Sequence, residues 1–305
     1  MLGFHDETAA AIRSLDEHWN GKGYPDGLRG EGIPLLARIA CLAQTFEVFH
    51  ADRGLDAALA MTRARRGRWF DPGLVDALHR ICRDGDVASL LAAGDVAAVE
   101  PAEAIVTADE SDLDQIAEAF ARVIDAKSPY THRHSERVAD IATAIGDEVG
   151  FDPRALRRLR RAALLHDIGK LAVPNTILDK PGRLDDDERR LIETHATHSE
   201  EILGHVAAFA DLAELAGAHH ERLDGSGYPR GRSRDQLSPA MRLLAVADVF
   251  AALTAARPYR AALSNETALE IMRSEAGTKL CEQALAALER RLAGQGTAAS
   301  EPLAA

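Results

Sequence analysis

Apolar residues recur at intervals of three and four positions through much of the chain. Ile116, Phe120, Val123 and Ile124 mark one such face, and this spacing matches the 3.6-residue period of an α-helix. Similar faces follow in residues 135–149, 153–169, 185–203, 206–221, 240–256 and 265–274. No segment alternates apolar and polar residues as a half-buried strand does. The pattern therefore predicts an all-α fold.

Composition divides this helical pattern into four segments. Residues 84–110 are rich in Ala, Val, Gly and acidic residues, which favours a linker. We therefore predict one helical domain over residues 1–83 and a second over residues 111–293. Residues 294–305 are small and polar, and we expect a disordered tail there.

Two stretches of the chain align without a gap at an offset of 204 residues. LDEHWNGKGYPDGLRG begins at Leu15, and HHERLDGSGYPRGRSR begins at His219. The likeness continues into two apolar helices, RIACLAQTFEVF and RLLAVADVFAAL, after which the first copy is about six residues shorter. The second copy carries histidines and Asp248 where the first carries Leu15, Asp16 and Gln44. The first copy is thus interpreted as a degenerate half-repeat that has kept the loop and lost the chemistry.

Histidines and aspartates of the second region form a candidate metal site. The proposed ligands are His134, His166, Asp167, His195, His219, His220 and Asp248. Asp248 lies in an apolar run, where an unpaired carboxylate is costly to bury and a cation removes that cost. Imidazoles and carboxylates without cysteine suit Fe, Mn or Zn better than Ca or Mg. Seven ligands exceed the needs of one tetrahedral ion and suit two metals bridged by Asp167.

A single histidine on a helix is more often a surface or core residue than a ligand. His132, His198 and His205 are assigned to that ordinary class. The set of seven differs, because the first copy lacks the histidine pair and the buried aspartate together. This internal comparison favours the metal interpretation.

HDIGK at residues 166–170, followed by HHERLDGSGYP and ADVFAALTAARPYR, resembles the HD-GYP subgroup of the HD-domain phosphohydrolases. The resemblance covers roughly residues 112–290. It implies an all-α HD-domain bundle with an HD-GYP extension, here preceded by the degenerate half-repeat. It also implies a hydrolase that converts cyclic di-GMP to pGpG or GMP with two divalent metals, Fe or Mn first and Zn as an alternative.

The resemblance implies a role for each matching residue. One metal would be held by His134, His166, Asp167 and Asp248, and the other by Asp167, His195, His219 and His220. Asp167 and Lys170 would be catalytic, and substrate contacts would come from Lys170, Tyr228, Arg257 and Arg260. Tyr130 occupies the position of a glutamate found in members with a third metal, so two metals are expected.

Four features depart from the family pattern. Ala196 replaces a proline, Ser199 a glycine and Ala251 an acid, and RGRSRDQLSP replaces the usual sequence after Gly-Tyr-Pro. These changes affect substrate choice and loop geometry more than metal binding. Two other functions therefore stay open: an HD phosphohydrolase acting on another nucleotide or phosphoester, and a non-catalytic signalling module that binds a nucleotide or a partner protein.

Charge and cysteine content limit the partners and the compartment. A net charge of −12 argues against binding to nucleic-acid polymers. Cys41, Cys82 and Cys281 are far apart, and the sequence has no signal peptide and no apolar run of transmembrane length, so we expect a cytoplasmic protein without membrane contact. The half-repeat would leave apolar faces exposed, which favours a homodimer or a partner protein at that domain.

Overall fold

The computed structural model describes residues 6–84, 108–128, 133–256 and 261–298. The chain separates into two compact units, one within residues 3–107 and one within residues 108–305. The named secondary-structure elements in the described ranges are all helical, and extended backbone pairs only at isolated bridges. The all-α prediction is therefore confirmed. No helix in these ranges is both long and apolar enough to cross a bilayer.

The first unit is built from four helices around a small core. They are α1 (Asp6–Arg13), α2 (Leu35–Arg53), α3 (Leu55–Arg65) and α4 (Pro72–Asp84). Leu42, Met61, Phe70 and Val75 are buried together between α2, α3 and α4. Burying a side chain of this size stabilises a fold by about 1.5–3 kcal/mol. A second, smaller apolar cluster joins α1 to α2 through Ala11 and Ala37.

The second unit contains the remaining helices and one continuous apolar core. They are α5 (Glu110–Ala126), α6 (His134–Glu148), α7 (Pro153–Leu165), α8 (Asn175–Leu178), α9 (Asp186–Gly204), α10 (Ala213–Gly217), α11 (Pro239–Leu253), α12 (Asn265–Ser274) and α13 (Glu282–Ala298). Ile145, Leu165 and Leu244 are among its fully buried side chains. This core holds α6, α7 and α11 against one another, and these three helices carry or adjoin several of the predicted ligands.

Side chains at the helix starts fix where these helices begin. Asp109 accepts from the backbone N–H of Asp112, and the Asp112 carboxylate accepts from the N–H of Asp109, so α5 starts with a capping box. Asp185 and Glu188 do the same for α9. Helix α5 thus begins at Glu110, one residue before the start predicted for the second domain.

Three predicted boundaries differ from the structure. The helix predicted over residues 153–169 ends at Leu165, and a 3₁₀ turn over Ile168–Ala172 follows it. The helix predicted over residues 206–221 is a 3₁₀ turn at Ala210–Leu212 followed by the short α10. Helix α13 continues to Ala298, beyond the predicted start of the tail. Most of the predicted linker, residues 85–107, lies outside the described residues.

The two sequence copies have matching local structure. The bridge between Asn20 and Arg29 recurs, 204 residues later, between Asp224 and Ser233. The bridge between residues 66 and 70 recurs between residues 276 and 280, an offset of 210. The change in offset equals the six residues by which the first copy is shorter. Both copies also have a cis Tyr-Pro bond, at residues 24–25 and 228–229.

Candidate metal centre

The adjacent His166 and Asp167 lie where α7 ends and the 3₁₀ turn begins. This turn packs so closely on α9 that a Cβ atom at Gly169 would lie 2.0 Å from the carbonyl oxygen of His195. Only glycine fits such an approach. The glycine of HDIGK therefore sets the distance between the His-Asp pair and the helix that carries His195.

Ser199 ties the same turn to α9 with two hydrogen bonds. Its Oγ accepts from the backbone N–H of Gly169 at 2.9 Å and donates to the carbonyl oxygen of His166 at 2.6 Å. The side chain is fully buried, so both backbone groups would lack a partner without it. A serine in place of the family's usual glycine thus has a structural role here.

Three of the predicted ligands are oriented by their own helices. The Nδ1 atom of His166 lies 2.7 Å from the carbonyl oxygen of Ala163. In the same way, Nδ1 of His195 lies 2.6 Å from the carbonyl oxygen of Ile192. Nδ1 of His219 lies 2.6 Å from the carbonyl oxygen of Ala216. A carbonyl oxygen can only accept, so each Nδ1 carries the proton and each Nε2 presents a lone pair. This is the tautomer that a metal-binding imidazole needs.

Asp167 lies between two groups of histidines, with one carboxylate oxygen toward each. Its Oδ2 is 3.3 Å from His166 Nε2 and 3.7 Å from His134 Nε2. Its Oδ1 is 3.4 Å from His195 Nε2 and 3.8 Å from His219 Nε2. A carboxylate with this two-sided arrangement can bridge two cations.

Asp248 adds a carboxylate to the side of the cluster that contains His134 and His166. It comes from the buried face of α11, and its Oδ1 lies 3.3 Å from His134 Nε2 and 3.9 Å from His166 Nε2. His220 Nδ1 approaches the other oxygen of Asp248 at 3.8 Å, while the His220 ring also groups with His195 and His219. All seven predicted ligands are therefore brought together, although they come from separate parts of the second unit.

The chemistry of this cluster fits a metal. His166 Nε2 and Asp167 Oδ1 are buried without a hydrogen-bond partner among the described residues. Unpartnered buried polar atoms are unfavourable, and a cation that accepts both electron pairs removes the penalty. The buried clusters of histidine and aspartate are thus consistent with a metal site.

The pKa values of His195, His219 and Asp167 favour the protonation states that bind cations. Burial lowers the pKa of His195 to about 4 and that of His219 well below the usual value, so both imidazoles are neutral at pH 7. Burial raises the pKa of Asp167, but its interactions with the neighbouring His166 imidazole and the Lys170 ammonium group outweigh that effect and hold the pKa well below its ordinary value. Neutral imidazoles and an ionised carboxylate are the forms that ligate metals.

Lys170 and Tyr228 border the cluster. Lys170 Nζ donates to Asp167 Oδ2 at 2.5 Å, within the 3₁₀ turn that follows α7. The Tyr228 ring lies 4.6 Å from the His220 ring. The other predicted substrate contacts, Arg257 and Arg260, lie outside the described residues, as does Tyr130.

The loop that carries Tyr228 is held by Glu221. This buried carboxylate accepts from the backbone N–H groups of Arg230 and Arg232, both at 2.8 Å. Gly225 has a positive φ of 79°, but Gly227 does not. A Cβ atom at Gly227 would lie 2.4 Å from the His220 carbonyl oxygen. Close packing, not backbone angle, therefore requires glycine at position 227.

Two arginines in the unusual sequence after Gly-Tyr-Pro form ion pairs with neighbouring helices. Arg230 forms an ion pair with Glu200 of α9, and Arg232 forms one with Glu214 of α10, at 2.8 and 2.7 Å. The sequence predicts no role for these two ion pairs or for Glu221. It also predicts none for Asp125, whose carboxylate accepts a hydrogen bond from the Ser135 hydroxyl at the start of α6. The sequence does contain a feature that points to Glu221. This acid directly follows the two predicted ligands His219 and His220, which is an unusual position for an acid.

The named elements of the second unit are all helical, and the unit carries buried clusters of histidine and aspartate. The protein therefore belongs to the class of helical proteins with a candidate metal centre. Residues 2–74 and 118–284 match the HD domain family, and the chain belongs to that family. It is 46% identical over 295 residues to a 3′3′-cGAMP-specific phosphodiesterase of Vibrio cholerae, covering 95% of this chain and 64% of that protein. The chain thus spans less than two thirds of that relative.

Two further similarities extend this result. A cyclic di-GMP phosphodiesterase of Thermotoga maritima is 38% identical over 161 residues, covering 52% of this chain and 44% of that protein. The crystal structure of a cyclic GMP-AMP specific phosphodiesterase of V. cholerae superimposes with a TM-score of 0.62 at 43% identity, covering 96% of this chain and 69% of that one. This chain therefore shares its fold with a protein whose sequence is similar to it along almost the whole of this chain.

Proposed function

We propose that this chain is a metal-dependent phosphodiesterase that opens a cyclic dinucleotide, with 3′3′-cGAMP as its preferred substrate. The two-sided placement of Asp167 carries the proposal, because His166 faces one of its oxygens and His195 the other. A carboxylate shared between two groups of imidazoles is the arrangement expected for a two-metal phosphoryl-transfer site. The name of the 46% identical relative supports this class of substrate.

The choice of substrate differs from the one that the motifs alone favoured. HD-GYP motifs suggested cyclic di-GMP, yet the relatives named for that substrate align over about half of the chain or less. One relative named for 3′3′-cGAMP aligns over both units, while two others with that name align over about half of the chain. We therefore place 3′3′-cGAMP first and cyclic di-GMP second.

The ligand assignment follows the two sides of Asp167. One ion would be held by His134, His166, Asp167 and Asp248, and the other by Asp167, His195, His219 and His220. Such a pair, Fe or Mn with Zn as an alternative, supplies Lewis-acid charge and an activated water for attack at phosphorus. Lys170 places its ammonium group beside Asp167 and can stabilise negative charge that develops on the phosphoryl oxygens. Tyr228 offers a ring and a hydroxyl group next to His220.

The first unit is proposed to be the degenerate C-terminal half of a second such domain, over residues 1–83. The paired bridges and the offset change support that origin. Leu15, Asp16 and Gln44 stand at the positions of His219, His220 and Asp248. These three changes remove every ligand that this half would supply, so we assign catalysis to residues 111–293.

A substrate panel tests the proposal. The full chain, loaded with Mn²⁺ or with Fe²⁺ under anaerobic conditions, is assayed with 3′3′-cGAMP, cyclic di-GMP and bis(p-nitrophenyl) phosphate, with products separated by chromatography. We expect linear dinucleotide from 3′3′-cGAMP at the highest kcat/KM. A metal-loaded protein that hydrolyses only the nitrophenyl ester would favour the wider phosphohydrolase alternative, and one that hydrolyses nothing would favour a binding module.

Lys170→Met tests the role of the ammonium group. It removes the charge but keeps the length of the side chain, so metal content should stay while kcat falls by about 100-fold. Lys127→Met is the matched control, because within the described residues the Lys127 ammonium group donates to the Leu171 carbonyl oxygen at an exposed position, outside the cluster. Equal activity in the two variants would exclude Lys170 from catalysis.

A further inference from the structure

The first unit contains a basic cavity that the proposed reaction does not use. The cavity has a volume of about 430 Å³ and lies between α3 and α4. Its charged lining consists of Arg63, Arg66, Asp76, His79, Arg80 and Arg83. Four arginines and a histidine thus face a single acid, in a chain whose net charge is −12. We call these lining residues the arginine pocket.

The single acid of the arginine pocket, Asp76, already pairs with an arginine of the same pocket. Asp76 accepts two hydrogen bonds from Arg66, at 2.9 and 2.6 Å, in a bidentate pair. This pair holds Arg66 in place and uses the negative charge of Asp76. Among the described residues, no acid pairs with Arg63 or Arg80. The pocket therefore keeps uncompensated positive charge.

The second unit provides an internal comparison, because α12 and α13 follow α3 and α4 at an offset of 210. There Arg273, which corresponds to Arg63, pairs with Glu289 at 2.7 Å. Arg290, which corresponds to Arg80, pairs with Glu148 at 2.6 Å. Position 79 of the first copy has histidine where the second copy has Glu289. The same two arginines are thus neutralised in one copy and left to face a cavity in the other.

His79 adds an imidazole ring to the lining of the pocket. The Thr62 hydroxyl donates its hydrogen to the Leu59 carbonyl oxygen at 2.9 Å, so it can only accept from His79 Nε2, which lies 3.0 Å away. Nε2 therefore carries a proton. Nδ1 is left to accept a hydrogen bond when the ring is neutral, or to donate one when the ring is charged.

We propose that the arginine pocket binds a small phosphate-bearing anion. Guanidinium groups match phosphate oxygens with forked, charge-assisted hydrogen bonds. A volume of about 430 Å³ falls in the range of small-molecule sites. The half-repeat would then serve as a ligand-binding unit in the same chain as the catalytic unit. The inference is independent of the catalytic assignment, since no residue of the pocket belongs to the metal cluster.

Calorimetric titration of the full chain tests the site. The probes are pyrophosphate and 5′-GMP, and the protein is stripped of metal with EDTA so that the metal centre does not bind them. Saturable binding by the wild type should weaken by about tenfold or more in the double variant Arg63→Ala/Arg80→Ala. The matched control, Arg273→Ala/Arg290→Ala, removes the corresponding arginines of the second unit and should leave the affinity unchanged.

Circular dichroism and thermal melting establish that both double variants are folded. The imidazole Cε1–H resonance of His79, assigned with His79→Gln, should shift when pyrophosphate is added to the wild type. Absence of saturable binding to the wild type would overturn the proposal. Equal loss of affinity in both double variants, or an unmoved His79 resonance, would overturn it as well.

Discussion

Asp125 accepts three hydrogen bonds from Ser135, one from the hydroxyl group at 2.7 Å and two weaker ones from the backbone N–H at 3.3 and 3.2 Å. Ser135 directly follows His134, the first residue of α6. The buried carboxylate of α5 therefore fixes the position at which His134 enters the cluster. Asp125 is a positioning residue, since it touches the ligand's neighbour and not the ligand atoms.

Replacing Asp125 with alanine should weaken metal binding. The start of α6 would lose these hydrogen bonds, and His134 would no longer be held in one place. Loss of such support typically lowers metal affinity by about 10- to 100-fold. Titration of the stripped protein with Mn²⁺ measures the change. Ser135→Ala, which removes only the hydroxyl contact, should have a smaller effect in the same direction, and an unchanged affinity in both variants would contradict the role.

His219→Ala should remove metal and activity together. Its Nε2 lies 3.8 Å from Asp167 Oδ1 and 3.1 Å from His195 Nε2, so its loss opens one side of the cluster. We expect a fall in kcat/KM of about 100-fold or more, because His219 is proposed as a direct ligand rather than a supporting residue. Elemental analysis and turnover on the same sample measure both effects.

His198→Ala is the matched control for that variant. His198 lies on the exposed part of α9, where its ring contacts only Glu201 among the described residues. Metal content and turnover should equal those of the wild type. A similar loss in both variants would mean that histidine content, not the predicted cluster, determines metal binding.

Gly169→Ala should destabilise the second unit. The new Cβ atom would lie 2.0 Å from the His195 carbonyl oxygen and 2.6 Å from the Ser199 N–H nitrogen, so α9 must move. Such overpacking costs about 1–3 kcal/mol in the free energy of unfolding. Chemical denaturation measures it. At Gly182 an added Cβ atom meets no atom within 4 Å, and Gly182→Ala should change stability by less than about 0.5 kcal/mol.

Metal should stabilise the folded protein. His166 Nε2 and Asp167 Oδ1 have no hydrogen-bond partner among the described residues, so a bound cation satisfies atoms that are otherwise left unpaired. At free Mn²⁺ of about 100 times Kd, the free energy of unfolding should rise by about 2.7 kcal/mol, and EDTA should reverse the gain. His219→Ala should show little of this increase. A wild-type melting temperature that is indifferent to Mn²⁺ would contradict metal binding at this cluster.

Much of the fold could be predicted from the sequence because helices are set by local patterns. The apolar period located α5 to α7, α9, α11 and α12 within a few residues. Boundaries failed where a tertiary contact ended a helix. Helix α7 stops at Leu165 although the apolar pattern continues, since the His-Asp turn must pack on α9.

The sequence by itself determined the all-α class, the internal repeat and the identity of seven side chains with the right chemistry. Those properties depend on residue type and spacing, which are local. Only the tertiary structure decided that the two oxygens of Asp167 face different histidines, and that Ser199 and Asp125 hold the supporting turns. It also decided that Arg63 faces a cavity while Arg273 meets Glu289. These relationships join residues far apart in the chain, so they exist only once the helices have packed.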